Sequence, residues 1–174
     1  MMVFGDFDIS GFWNNTEYAK KEYVGEPLTE ELLASIEKEL GYKLPQAYIE
    51  LMKCQNGGIP KFKCHRTQES TSWAEDHVAI TGIFGISRNK QNSLGGGFGS
   101  QFMIEEWGYP PLGVYFCDCP SAGHDMLCLD YRECGVNGEP QVVHIDQECD
   151  YKITFVAQNF EKFIRGLESE EAFE

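Results

Sequence analysis

The sequence predicts an α+β fold, a mainly antiparallel sheet with a helical hairpin before it and one helix after it. Three observations carry this expectation. Residues 28–54 place apolar side chains at helical spacing, and residues 113–146 hold three short β-rich runs separated by turn formers. Residues 159–167 then return to helical spacing. Helices, then strands, then a helix, with no linker or internal repeat, describe one domain over residues 1–174.

Residues 1–26 form an aromatic-rich lead-in. Phe4, Phe7, Phe12 and Trp13 are too apolar for a loose tail and are expected to cover an edge of the core, while Thr16–Tyr23 suits a short helix. Thr29 is placed to cap the next helix, with Glu30 and Glu31 at the positive end of its dipole. Leu32, Leu33, Ile36 and Leu40 make its apolar face and Gly41 ends it. Leu44-Pro45 opens a second helix, because proline is tolerated in a first helical turn. Tyr48, Leu51 and Met52 form its stripe, and Asn56-Gly57-Gly58 stops it.

Ile59–His65 holds a strand candidate, and Thr67–Asp76 is a polar loop around Trp73. His77–Ile86 reads as one strand with a glycine-marked irregularity. After a polar, glycine-rich connection, Ser100 is expected to cap a short helix whose Phe102, Met103 and Trp107 share a face. Gly108-Tyr109-Pro110-Pro111 ends that helix. The three strands are Val114–Cys117, Met126–Tyr131 and Gln141–Ile145, and Tyr151–Val156 is a fourth. Asn159 caps the last helix, with Phe160, Phe163, Ile164 and Leu167 along one side. Residues 168–174, with four glutamates, read as a frayed acidic tail.

Composition narrows the function classes. Hydrophobic residues at 42% suffice for a core. No apolar run approaches the roughly 18 residues that span a bilayer. The net charge is −14, from 28 acidic against 14 basic residues, which disfavours nucleic acid and anionic membrane surfaces. It favours a basic protein partner. The N-terminus lacks the basic start and apolar middle of a signal peptide. Seven cysteines is an odd number, read as reduced thiols in a cytoplasmic protein, so the sequon at Asn14-Asn15-Thr16 is idle.

Cys117, Cys119, His124 and Cys128 are of zinc-binding types. One residue separates the first two cysteines, however, where zinc knuckles use about two to four. Cys117 and Cys128 also fall inside strands, where thiols pack as small apolar groups. A cysteine–histidine nucleophile needs an exposed thiol activated by a base, and nothing in the pattern singles one out. Gly95-Gly96-Gly97-Phe98-Gly99 lacks the Lys-Ser/Thr of a phosphate loop. No catalytic residue, metal or cofactor is expected.

What remains is a polar set on strands. Alternation puts Met126, Cys128 and Asp130 on one face of their strand, and Val142, His144 and Asp146 on one face of the next. Asp130, His144 and Asp146 are therefore expected to gather on a partly solvated side of the sheet. Asp118, Asp125 and Glu133 lie nearby, and the six together are the expected partner-binding surface.

These segments together resemble the SUKH superfamily, which includes fungal Smi/Knr-type cell-wall synthesis regulators and many bacterial immunity proteins. The resemblance runs through Leu28–Gly58, Ile80–Ile86, Pro120–Gly135, Gly138–Asp146 and Asn159–Leu167, in the family's order. It implies helices around an antiparallel sheet and no conserved catalytic machinery. In bacterial members it implies binding and neutralising a polymorphic toxin, often a nuclease; in the fungal branch it implies a scaffold or regulator. The long aromatic N-terminus and the cysteine load depart from a minimal member.

Overall fold

Local rules set the elements. In the computed structural model, which describes residues 2–174, α1 (Glu17–Glu22) starts where the Thr16 hydroxyl accepts the Ala19 N–H at 3.1 Å. In the same way Thr29 accepts the Leu32 N–H to begin α2 (Glu30–Leu40), and Gly41, at φ 85°, ends it in the left-handed region. Pro45 precedes α3 (Gln46–Cys54). Asn159 caps α5 (Phe160–Arg165) by accepting the Lys162 N–H at 2.9 Å.

The strands are β1 (Cys64–Arg66), β2 (His77–Ala79), β3 (Gly82–Ile83), β4 (Gly113–Asp118), β5 (Asp125–Asp130), β6 (Gln141–Asp146) and β7 (Lys152–Ala157). β1 and β2 form a small antiparallel pair, and the main sheet runs β3-β4-β5-β6-β7 with every neighbour antiparallel. The fold is α+β with a mainly antiparallel sheet, as the sequence predicts.

Three elements differ from expectation. His77–Ile86 is two strands in two sheets. The chain changes partner between Ile80, whose N–H bonds Lys63, and Thr81, whose N–H bonds Asp118. Gly99, not Ser100, occupies the cap of α4 (Ser100–Glu105). The Ser100 hydroxyl instead accepts the Tyr115 N–H at 3.0 Å, tying α4 to β4. The last residues are not frayed. Glu168 pairs with Cys64 through both backbone bonds, and its carboxylate meets Arg66 at 3.0 Å. The Phe173 ring packs on the His77 ring at 4.2 Å and the Arg66 guanidinium at 4.7 Å.

Both faces of the sheet are covered. Strand alternation sends the adjacent aromatics Tyr115 and Phe116 to opposite sides, next to a bulge between Tyr115 and Cys117. Phe116 packs on Phe163 of α5 at 5.6 Å and on Tyr48 of α3 at 6.0 Å, while Tyr115 meets Tyr109 at 5.1 Å. Phe4, Phe12 and Trp13 of the lead-in join this core. Their anchor is Glu50, buried on α3, which accepts the N–H groups of Val3 and Phe4 at 2.6 and 3.0 Å. Asn56, also buried, donates to the carbonyls of Glu26 and Ile86 and accepts the Ile86 N–H at 2.7 Å.

Candidate carboxylate-lined end of the sheet

Strand direction decides which acids meet. β4 ends at Asp118, β5 begins at Asp125 and β6 ends at Asp146, so these three lie at one end of the sheet. Asp130 pairs with Gln141 at the opposite end, and the exposed Glu133 lies beyond it. In cross-strand register His144 faces Leu127 and Asp146 faces Asp125, whereas Asp130 is on the other face of β5. Asp130 therefore does not gather with His144 and Asp146.

The expected solvation is also overturned. Asp125, Asp130, His144 and Asp146 are 6, 3, 0 and 2% exposed, because helices and loops cover both faces of the sheet. Burial alone would raise the Asp130 carboxyl. The Arg132 backbone and guanidinium, with bonds of 2.8–3.0 Å, outweigh it and hold that carboxyl below the ordinary range. Of the six expected partner-binding residues, Glu133 is exposed and Asp118 half-buried.

On one side of this end, His144 Nε2 lies 2.7 Å from Asp125 Oδ2. The Ser121 hydroxyl donates to Asp125 Oδ1, and the Asp125 N–H bonds Ser121 Oγ at 3.0 Å. Asp146 accepts from the Ser72 N–H at 3.2 Å, from the Ser72 hydroxyl, and from the Glu148 N–H at 3.2 Å. Burial works against ionising Asp146, and these bonds outweigh it to hold the carboxyl low. A cavity of about 240 Å³ opens here between Trp73, Ser121, His124, Asp146 and Glu148.

Cys119, Asp125 and His144 bring potential ligand atoms within 4.8 Å of one another. Of the cysteine and histidine set weighed from sequence, only Cys119 takes part. Burial, reinforced by the neighbouring Asp125, pushes its thiol well above the ordinary range, so it is protonated at neutral pH and is no activated nucleophile. The facing nitrogen and oxygen of His144 and Asp125 already bond each other. A metal held by those two atoms would have to open that contact.

On the other side, Asp118 receives the Tyr23 hydroxyl at 2.8 and 3.0 Å and the Gly82 N–H at 3.1 Å. Asp118 lines a cavity of about 330 Å³ with Phe84, Phe98, Phe102, Trp107 and Met126. Burial raises its carboxyl to about 6 against the opposing pull of those hydrogen bonds. A folded value above the unfolded one means that the folded state binds the extra proton, so stability is lost as pH rises. Relative to an Asp118→Asn variant, the native chain should lose unfolding free energy between about pH 4 and pH 7. Parallel urea titrations of the two proteins across that range check this; curves of the same pH dependence would refute it.

The β4–β5 connection, residues 119–124, divides the two cavities: Ser121 and His124 line the first, Ala122 and Gly123 the second. Ala122 and Gly123 take φ of 57° and 99°. Gly123 is needed there, since a Cβ would meet the Trp107 ring at 3.0 Å. The Trp107 and His124 rings pack edge to face at 5.2 Å, so the divider is pinned to α4's exit.

No described helix is long and apolar enough to cross a membrane. No curated protein matches the chain. A family model, described as SUKH_6: SMI1-KNR4 cell-wall, matches residues 30–164, from the start of α2 into α5. That match covers most of the chain and bears out the resemblance read in the sequence: the protein belongs to the SMI1-KNR4 cell-wall family of the SUKH superfamily.

Proposed function

We propose that the protein is a non-enzymatic immunity protein that binds and neutralises a basic toxin domain, with a nuclease as the expected partner. One observation carries this reading. Two cavities flank one loop at the acidic end of the sheet, and the side chains lining them include Asp118, Asp125, Asp146 and Glu148 but no lysine or arginine. Trp73 and Phe98, 46 and 47% exposed, stand at their rims as aromatic contacts. On a chain of net charge −14, such a surface suits a protein whose own working face is basic. Membership of a family not known for enzymes, and a Cys119 thiol locked in its protonated form, agree with a role in binding.

The test is co-expression with a toxin domain encoded beside it. Growth should be protected and the two proteins should co-purify, with an affinity that falls as salt rises. Cell death despite folded expression of this chain would overturn the reading. The family's cell-wall description favours a second reading, a scaffold or regulator in cell-wall synthesis, which predicts several endogenous partners and no toxin.

A further inference from the structure

We propose that the cavity beside Asp118 receives a cationic side chain, arginine or lysine, from the protein partner. This rests on the reading of the protein as a binder of a basic protein and names the chemistry of one contact.

The walls and the floor of the cavity suit different parts of such a side chain. Phe84, Phe98, Phe102, Trp107 and Met126 offer apolar and aromatic surface to an aliphatic stem. Aromatic faces also attract a guanidinium or ammonium group. Asp118 is the one charged residue in the lining. Its two donors, the Tyr23 hydroxyl shared between both oxygens and the Gly82 N–H, leave carboxylate lone pairs for another donor.

Glu105 and Glu106, both exposed, immediately precede Trp107 in the chain, and the chain as a whole is acidic. A neutral apolar side chain would fill the walls but bury the Asp118 carboxylate with no partner beyond Tyr23 and Gly82 and no opposite charge, a costly arrangement. An anionic one would meet repulsion. A long cation satisfies both the walls and the carboxylate. The site is also pre-formed, because Gly123 and His124 fix the position of Trp107.

The experiment needs no toxin. Acetylated, amidated tripeptides Gly-Arg-Gly and Gly-Lys-Gly are titrated into the full chain, followed by the Trp107 indole and Gly123 amide signals in ¹H–¹⁵N NMR spectra. Gly-citrulline-Gly serves as the uncharged control. Saturable shifts at both signals are expected with a cationic peptide. Affinity should fall at least about tenfold with citrulline, and by a similar factor in Asp118→Asn. Phe98→Ser, at the exposed rim, should also weaken binding without disturbing the fold. Equal binding of the citrulline peptide, undiminished binding by Asp118→Asn, or no saturable shift at Trp107 overturns the proposal. If the peptides fail here while co-expression still protects growth, the partner docks elsewhere. If they bind while no toxin is neutralised, the cavity stands and the immunity reading falls.

Discussion

Replacing Asp125 with alanine should cost about 3–5 kcal/mol of unfolding free energy, among the largest losses available to a single polar substitution in this chain. Among the described residues, Asp125 is the one side chain bonded to His144, a ring with no exposed surface. The other ring nitrogen, Nδ1, is itself buried without a partner, as is the hydroxyl of Thr154 directly across β6 and β7. Removing the carboxylate leaves the imidazole with no bond at all, and it also frees the Ser121 hydroxyl. His144→Leu attacks the same contact from the other side, leaving Asp125 with Ser121 and the neighbouring Cys119 thiol. Because the two losses share one interaction, the double variant should lie well short of their sum, with a coupling of about 1–3 kcal/mol. Urea unfolding of the four proteins measures it. Additive losses would show that the pair is only adjacent.

Asn56→Ala should be the second large loss, again about 3–5 kcal/mol. Its amide serves Glu26 and both backbone groups of Ile86, so one truncation strands two carbonyls and an N–H inside the protein. Asn56→Asp should fare nearly as badly. A carboxylate can accept from Ile86 but cannot donate to the two carbonyls. A shift in urea midpoint equivalent to less than about 1 kcal/mol for either variant would mean that the surrounding loops re-pair without it.

Much of the fold was legible because its signals are local. Thr29, Gly41 and Asn159 act as caps through bonds spanning only a few residues, and the apolar stripes of α2, α3 and α5 are written at helical spacing. The three central strands were legible for the same reason. What failed depended on partners far away in sequence. Alternation correctly separated His144 from Val143, but it cannot say which residue of β5 stands opposite. The connection at 131–140 is too long to fix a register by turn type. Alternation alone thus groups Asp130 with His144 and does not reveal the Asp125–His144 contact. No local signal in residues 131–140 fixes the register that brings the two together. Burial was misjudged for a related reason. A sheet with one wet face and one with both faces covered differ in what packs on them, and β5, buried at every residue, shows the second. The aromatic cavity around Trp107 draws on residues from Phe84 to Met126, and no short motif announces it.

The main sheet has a consequence for the order in which the molecule assembles. Strands β4 to β7 form an uninterrupted meander in which each strand pairs with its successor, through connections confined to residues 119–124, 131–140 and 147–151. Closing such short loops costs little chain entropy, and contacts close in sequence form fast. The meander can therefore nucleate early from within its own stretch. The seams that close the molecule, Val3 and Phe4 to Glu50, Asp6 to Arg165 and Cys64 to Glu168, join residues from 46 to 159 positions apart and must follow. Until they close, the sheet that will carry the carboxylate-lined end stands partly uncovered, and the newly made chain is most vulnerable to mispairing in that interval.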